Sequence, residues 1–389
     1  MPDGKFLSGI SDPCRFCFPE NGCFGYPYSE TVFAVHSGIL LRSMPMKIIK
    51  GILKGLEVIL ITLAFIVLAL ICVIFLLERG PSETAKNVFV KSVTETAAIG
   101  FVAEFFLSEE EVDAIVESAQ MQEVEEGTTN DVSLIDTSET SDEIEIIEIT
   151  GSTYKGYLMI IHDPSRVFLG TVPEFGETTG LTVQEMIEYY EETYGITIAG
   201  GVNAGDFVDA GSYSYTAQPL GLIRSSIGSY AGQTYTYTTM STYHVCGFTE
   251  DNVLVMGNLT IDEIEELGLR DCVYTVHTTG PFLIMDGESL IDEVPDSATY
   301  GGGKNPRTAI GQREDGSILL LVIDGRQTNS LGATFKDLCY IMQEYGAVNA
   351  CAMDGGTSSQ MVYDYEIINN PYSPSGPRRC PTAWLVLGE

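Results

Sequence analysis

Twenty consecutive uncharged residues, VILITLAFIVLALICVIFLL at positions 58–77, constrain this 389-residue chain more than any other feature. A helix of that length measures about 30 Å, one hydrocarbon thickness. With its flanks, the run predicts a single transmembrane anchor over 48–77. A soluble helix seldom carries apolar residues on every side. Arg42, Lys47, Lys50 and Lys54 precede the run and acids dominate after it. The excess of positive charge on the N-terminal side predicts a single-pass cell-membrane protein. Its N-terminus would be cytoplasmic and everything after about Arg79 extracellular. The run is too long for a cleaved signal peptide, and no small-x-small site follows it closely. A signal anchor is the expectation.

Residues 1–43 read as a cytoplasmic tail. Its Cys14 and Cys17 have the spacing of half a zinc site, but no second ligand pair lies nearby. The segment MPMKIIKGILKG already has the character of a membrane-anchor start, so translation from Met44 or Met46 is the simpler reading. Five cysteines follow the anchor, at 246, 272, 339, 351 and 380. An odd number leaves at least one thiol free and implies no disulfide scaffold.

The chain carries 54 acids against 20 bases, a formal charge of −34. Nucleic acid needs a basic face, so no nucleic-acid partner is expected. The acid is concentrated: Glu104 to Glu148 holds 16 acidic residues, and no Lys or Arg occurs from Ser92 to Tyr154. Residues 80–150 therefore read as a helical stalk followed by a self-repelling, extended acidic linker. From 151 to 389 short apolar runs alternate with Gly-rich turns and amphipathic helices. That texture predicts an α/β domain, a mixed sheet with packed helices. TVQEMIEYYEETYG reads as a helix whose Val183, Met186, Ile187, Tyr190 and Tyr194 share a face and whose Gly195 ends it.

Three apolar strands of this domain run into polar ends at Asn203, Asp324 and Asp354, where ligand crevices commonly form. In IDGRQ, Arg326 follows Asp324; in NPRTAIG, Arg307 follows Asn305; in MDGGTSS, Gly355 and Gly356 free the backbone after Asp354. Glycines admit positive φ and close approach of a ligand, and consecutive free N–H groups in such a turn cradle an anion. Only 11 Lys and Arg occur from Gly151 onward, and five of them (Lys304, Arg307, Arg326, Arg378, Arg379) fall in these motifs. Guanidinium forks match phosphate or carboxylate, so an anionic substrate group is expected. Each arginine pairing with a structural acid is the plainer alternative. Asp206 and Asp209 serve as turn residues or as ligands to calcium or magnesium. His162, His244 and His277 form no zinc pair, and Cys351 reads as core.

GGVNAGDF, GPFLIMDGE, NPRTAIGQREDGSILLLVIDGRQ, GATFKDLCYIMQEYGAVNACAMDGGTSSQMVY and RRCPTAWLV, taken together and in order, resemble the phosphodiester glycosidase family. The resemblance covers roughly Tyr154 to Glu389. It departs at VNAGDF, where the family often has an Asn-Gly-Gly-aromatic turn. It implies hydrolysis of a sugar-1-phosphodiester, with an N-acetylglucosamine-type sugar released from a phosphate that stays on another group. Such a sugar leaves through an oxocarbenium-like state, which a nearby carboxylate stabilises or attacks. Cationic groups hold the departing phosphate.

Asp354 is the expected catalytic carboxylate and Asp324 the second acid or orienting group. Arg307, Arg326 and Arg379 would hold the phosphate. Asn203, Gly355, Gly356, Thr357 and Ser358 would hydrogen-bond sugar or phosphate. No cofactor is required by the sequence, and a divalent cation, Ca or Mg, is an open option. The expected partner is a phosphorylated glycan in cell-surface polysaccharide or exopolysaccharide metabolism. The alternative is a non-catalytic surface module that binds anionic polysaccharide.

Overall fold

The structure, a computed structural model, describes residues 46–94, 100–117, 124–210, 213–275, 282–291, 303–373 and 376–389. The expectations for the tail 1–43, its cysteines and a start at Met44 lie outside the described residues, as does His277. The chain divides into two compact units, 1–67 and 68–389. One helix, Met46–Arg79, runs through the division. No residue of its apolar stretch is buried, and among the described residues it is the one helix long and apolar enough to cross a membrane.

The expected stalk folds on itself. Helix Glu83–Thr94, the 3-10 turn Gly100–Glu104 and helix Glu109–Glu117 close around Val90, Val93, Ala103, Leu107 and Val112.

Three larger sheets follow among the described residues. The first, of seven strands, runs in the order Ile144–Thr150, Lys155–Ile161, Ile318–Ile323, Arg307–Arg313, Ala347–Met353, Phe282–Met285 and Glu288–Ser289. The second orders Glu366–Ile367, Met361–Tyr363, Ile198–Asn203, Thr382–Leu387 and Val167–Thr171. The third holds Leu254–Leu259, Tyr243–Thr249, Leu269–Tyr274, Leu222–Arg224 and Thr234–Thr236. The ladders between these strands are antiparallel, as in the central pairs Arg307–Arg313 with Ile318–Ile323 and with Ala347–Met353. The first of these pairs is a hairpin, while the second is joined through a strand and a helix.

The strand ILLLVI shows why the first sheet is so apolar. Ile318, Leu320 and Val322 enter a central core, while Leu319, Leu321 and Ile323 enter a second core on the opposite face. Helix Phe335–Glu344 covers that second face through Phe335, Leu338, Cys339 and Met342. A strand covered on both sides reads as a continuous hydrophobic run. The central core also takes Val202, Trp384 and Leu385 from the second sheet and Cys246, Phe248 and Met256 from the third. Helix Val183–Tyr194 starts at a reciprocal Thr182–Glu185 capping box and stops at Gly195, φ 67°. Its Val183, Met186, Ile187 and Tyr190 are buried, but Tyr194, expected on the same face, is 37% exposed.

The expected linker is corrected from residue 124 onward. Ile144–Thr150 is the edge strand of the first sheet, paired in continuous register from Ile144 opposite Ile161 to Thr150 opposite Lys155. Asn130, 3% exposed, donates to the Leu254 carbonyl at 3.0 Å and accepts from the Met256 N–H at 2.7 Å. Asp131 N–H donates to Asp286 in the tight Asp286–Gly287 turn at 2.7 Å. Ile144 and Ile146 pack against the central core and Ile147 and Ile149 against the second, so the doubled isoleucine in EIEIIEI supplies both faces of this strand. The folded domain begins before 151.

Candidate active site

Asp354 follows the strand Ala347–Met353, where that strand leaves the first sheet. Its N–H donates to the Ala204 carbonyl at 3.0 Å, joining it to the end of Ile198–Asn203 in the second sheet. The join is reinforced by Asn203, 1% exposed. Asn203 Nδ2 donates to the Asp354 carbonyl at 2.6 Å, and its Oδ1 accepts from Thr308 Oγ1 at 2.9 Å and the Gln360 N–H at 3.2 Å. One amide thus ties three chain segments far apart in sequence. Gln360, wholly buried, extends the tie to the Arg378 carbonyl and to the Val183 N–H at the start of a helix.

Beyond Asp354 the chain makes the short 3-10 turn Gly356–Ser358. Both glycines are required, for different reasons. A Cβ on residue 355 would lie 2.9 Å from the Pro306 carbonyl oxygen, and Gly356 has φ 63°. The turn's amides serve the fold more than expected. Gly356 N–H donates to Pro306, Ser358 N–H to Gly355 and Ser359 N–H to Gly356. What the turn presents to a ligand is therefore side chain and close backbone approach more than a row of free amides.

Two arginines reach this turn. Arg326 Nε donates to Asn305 Oδ1 at 3.2 Å, and its Nη2 lies 3.6 Å from the position a Cβ on Gly356 would occupy. Arg326 is exposed and holds a left-handed backbone, φ 58°, a conformation that costs a non-glycine residue energy. Arg378 donates from Nη1 to Thr357 Oγ1 at 3.1 Å, with its guanidinium carbon 5.2 Å from the Phe207 ring centroid.

The other two expected phosphate holders engage protein groups. Arg307, 7% exposed, stacks its guanidinium 4.1 Å from the Phe335 ring centroid and donates to the Ala333 and Gly303 carbonyls. It braces the loops beneath the turn. Arg379 pairs with Glu185 in the capping box of helix Val183–Tyr194 and donates to the Gly180 carbonyl. Arg378 and Arg379, although adjacent, therefore engage different neighbours: Thr357 and Phe207 for the first, Glu185 and Gly180 for the second.

Asp324, 8% exposed, ends the strand Ile318–Ile323. Its Oδ1 accepts from Asn369 Nδ2 and from the Asn370 N–H, each at 2.9 Å. Burial raises its pKa above the ordinary carboxylate value, against the lowering effect of those two hydrogen bonds. Asn369 links Asp324 to the glycine turn: its Nδ2 also donates to the Ser359 carbonyl and its Oδ1 accepts from the Met361 N–H. Asn369 and Gln360 carry no sequence signal, and Arg378 counts among the clustered cations without being given the phosphate. NNP and RR have no distinguishing spacing, and only the fold brings them to the turn.

The thiols here are not nucleophiles. Burial pushes Cys380 up to about 12, with the nearby Asp354 carboxylate adding to the rise, and burial also raises Cys351 well above the usual thiol value. Among the described residues no three His, Cys, Asp or Glu side chains gather as a metal ligand set.

This arrangement, carboxylates at two strand ends with a glycine turn and two arginines between them, lies inside a recognisable sequence unit. Residues 196–387 match the family model described as phosphodiester glycosidase. The likeness to the phosphodiester glycosidase family rests on this segment, just under half of the chain. The SPbeta prophage-derived uncharacterized protein YomE of Bacillus subtilis (strain 168) is 32% identical over 126 residues, 32% of this chain. The match spans only 19% of that relative's length. In fold the chain is similar to the catalytic domain of the zebrafish N-acetylglucosamine-1-phosphodiester alpha-N-acetylglucosaminidase, a structure described as auto-inhibited by its pro-peptide. That similarity has a TM-score of 0.51 at 22% identity and covers 67% of this chain and 88% of the other. All the site residues, from Asn203 to Arg379, fall within the phosphodiester glycosidase match. The edge strands and the helix before Ile196 precede it.

Proposed function

We propose that the protein is a membrane-anchored exoenzyme that hydrolyses a sugar-1-phosphodiester, an N-acetylglucosamine-type sugar linked through phosphate to a cell-surface glycan. The observation that carries this reading is the phosphodiester glycosidase match over 196–387, because the Asp354 turn, Asn203, Arg326 and Arg378 all lie within it. The helix Met46–Arg79 would hold the enzyme at the cell membrane, with its N-terminus cytoplasmic and the domain outside.

In this reading the diester phosphate lies over the glycine turn between Arg326 and Arg378, whose charges oppose the charge that develops as phosphate departs. The bond from the anomeric carbon to the phosphate oxygen breaks, and its electron pair stays on the phosphate. Asp354 stabilises or attacks the anomeric carbon. Water supplies the hydroxyl of the released sugar, and its other proton leaves through a carboxyl group. Asp324 suits that exchange: burial favours its protonated form, so it gives its proton to the departing phosphate oxygen and, once ionised, takes the proton from water.

The test is Asp354→Asn, assayed for sugar release from UDP-N-acetylglucosamine or an aryl phosphodiester of N-acetylglucosamine. Release should fall by roughly 10³-fold or more while the thermal melt is retained. A wild-type protein that releases no sugar from a broad diester panel, yet retains anionic polysaccharide, would sink the enzyme reading in favour of a binding module.

A further inference from the structure

A second assembly lies outside the candidate site, at the C-terminal end of the long helix. The last turn of that helix carries Phe75, Glu78 and Arg79, and all three engage the segment 100–111. Glu78 Oε2 accepts from the Phe106 N–H at 2.8 Å, and Arg79 Nε donates to the Phe106 carbonyl at 2.7 Å. The Arg79 guanidinium makes a two-pronged bond to Glu111, at 2.7 and 2.9 Å. The Phe106 ring meets Phe75 edge-on, with centroids 5.3 Å apart at 86°. Phe75 belongs to the uncharged run and lies three residues, about 4.5 Å along the axis, before Glu78. The segment is therefore fixed at the level where the apolar run gives way to its first charges. For a spanning helix that level is the membrane–water interface, where surface-lying segments bury Trp, Phe and Leu at the headgroup–acyl boundary.

Two phenyl rings leave this segment without cover. Phe101 is 61% exposed and Phe105 48%, and their centroids are 5.7 Å apart. Their neighbours Ala103 and Leu107 face the small core instead. The segment therefore has one face toward protein and another turned out that carries the two rings. We propose that the bilayer holding this helix is what covers Phe101 and Phe105. The two rings enter the boundary between headgroups and acyl chains, so the first element after the span lies on the membrane. The partner is the apolar layer of neutral or zwitterionic lipid. Exposed Glu104, Glu109 and Glu110 beside the rings disfavour anionic headgroups. The inference rests on the helix spanning the membrane and is independent of the reaction at Asp354.

The chain has one tryptophan, Trp384, which is fully buried and supplies a constant background. Single variants Phe101→Trp and Phe105→Trp of the full chain are placed in phosphatidylcholine vesicles with or without brominated acyl chains. Phe65→Trp, within the apolar run, is the bilayer control, and Tyr340→Trp, 50% exposed on a domain helix, is the water control. The expected result is that both ring variants emit at shorter wavelength than the water control and lose most of their added emission in brominated lipid, as Phe65→Trp does. The proposal is overturned if Phe65→Trp is quenched while both ring variants behave like Tyr340→Trp. It is also overturned if they are shielded but untouched by brominated lipid and become exposed as protein is diluted in the vesicles, which marks a second protein copy as the cover. An unquenched Phe65→Trp would remove the spanning helix itself, and the proposal with it.

Discussion

Replacing Asn203 tests whether the site is assembled by long-range hydrogen bonding. Its side chain satisfies the Asp354 carbonyl, the Thr308 hydroxyl and the Gln360 N–H, and it is 1% exposed. In Asn203→Ala all three lose their partner. A buried polar group left unpaired costs about 1–3 kcal/mol. The Thr308 hydroxyl can rotate and Asp354, half-buried, can take water, so the loss is nearer two full groups than three, about 2–6 kcal/mol. With a urea slope near 3 kcal/mol/M for a domain of this size, the midpoint should fall by about 0.7–2 M. Trp384 fluorescence reports it, because Trp384 pairs with Val202, next to Asn203. Asn203→Asp sharpens the test. It keeps Oδ1 but sets a second oxygen against the Asp354 carbonyl, where Asn203 Nδ2 was 2.6 Å away. That carboxylate is buried against a carbonyl oxygen, so its folded pKa lies above its unfolded one. Stability should therefore be lost as pH rises through the folded value and regained on acidification, when the protonated group can donate. An alanine variant shifted by less than about 0.3 M, or a flat pH response of the aspartate variant, would refute the reasoning.

Asp324→Asn should separate stability from activity. The raised pKa of Asp324 means its ionisation costs stability, a cost that grows as pH rises from the ordinary carboxylate range through the folded value. Asparagine keeps the acceptor for Asn369 and Asn370, so thermal melts at pH 7 should match or exceed wild type while sugar release falls. Arg378→Ala removes a charge-assisted bond, worth about 1.5–3 kcal/mol and so roughly 10–100-fold in kcat/KM. Arg379→Ala breaks a half-exposed pair with Glu185 and should cost less than about 1 kcal/mol of stability, with kcat/KM little changed. Equal kinetic losses in the two would contradict the placement of these side chains. Gly356→Ala should destabilise by about 1–2 kcal/mol through its left-handed backbone alone, since the new Cβ meets Arg326 at an ordinary 3.6 Å. Gly355→Ala should do more damage in melts and kinetics, because its Cβ would strike the Pro306 carbonyl at 2.9 Å.

Local chemistry was legible wherever it acts within one turn of chain. The helix end at Gly195 and the apolar run of the long helix lie where their sequences place them. The acidic stretch misled because charge density dominated the reading. Its EIEIIEI run is a strand pattern, but whether those isoleucines lie in a spacer or enter the cores on both faces of a sheet depends on a partner. That partner, Lys155–Ile161, closes on it through a short hairpin. The arginines misled for a related reason. Their scarcity pointed to an anionic ligand but could not tell Arg378 from Arg379, or show that Arg307 lies against Phe335.

By itself the sequence determined the apolar helix, the order of strands and turns, the glycines around Asp354 and the family pattern of residues 196–387. These follow from composition, period and the backbone freedom of individual residues. Only the tertiary structure decided which groups meet. Asn203 joins Thr308 and Gln360 across 105 and 157 positions, and Asn369 joins Asp324 across 45. Such contacts depend on which strands become neighbours, and that is settled by burying the shared core rather than by any local pattern.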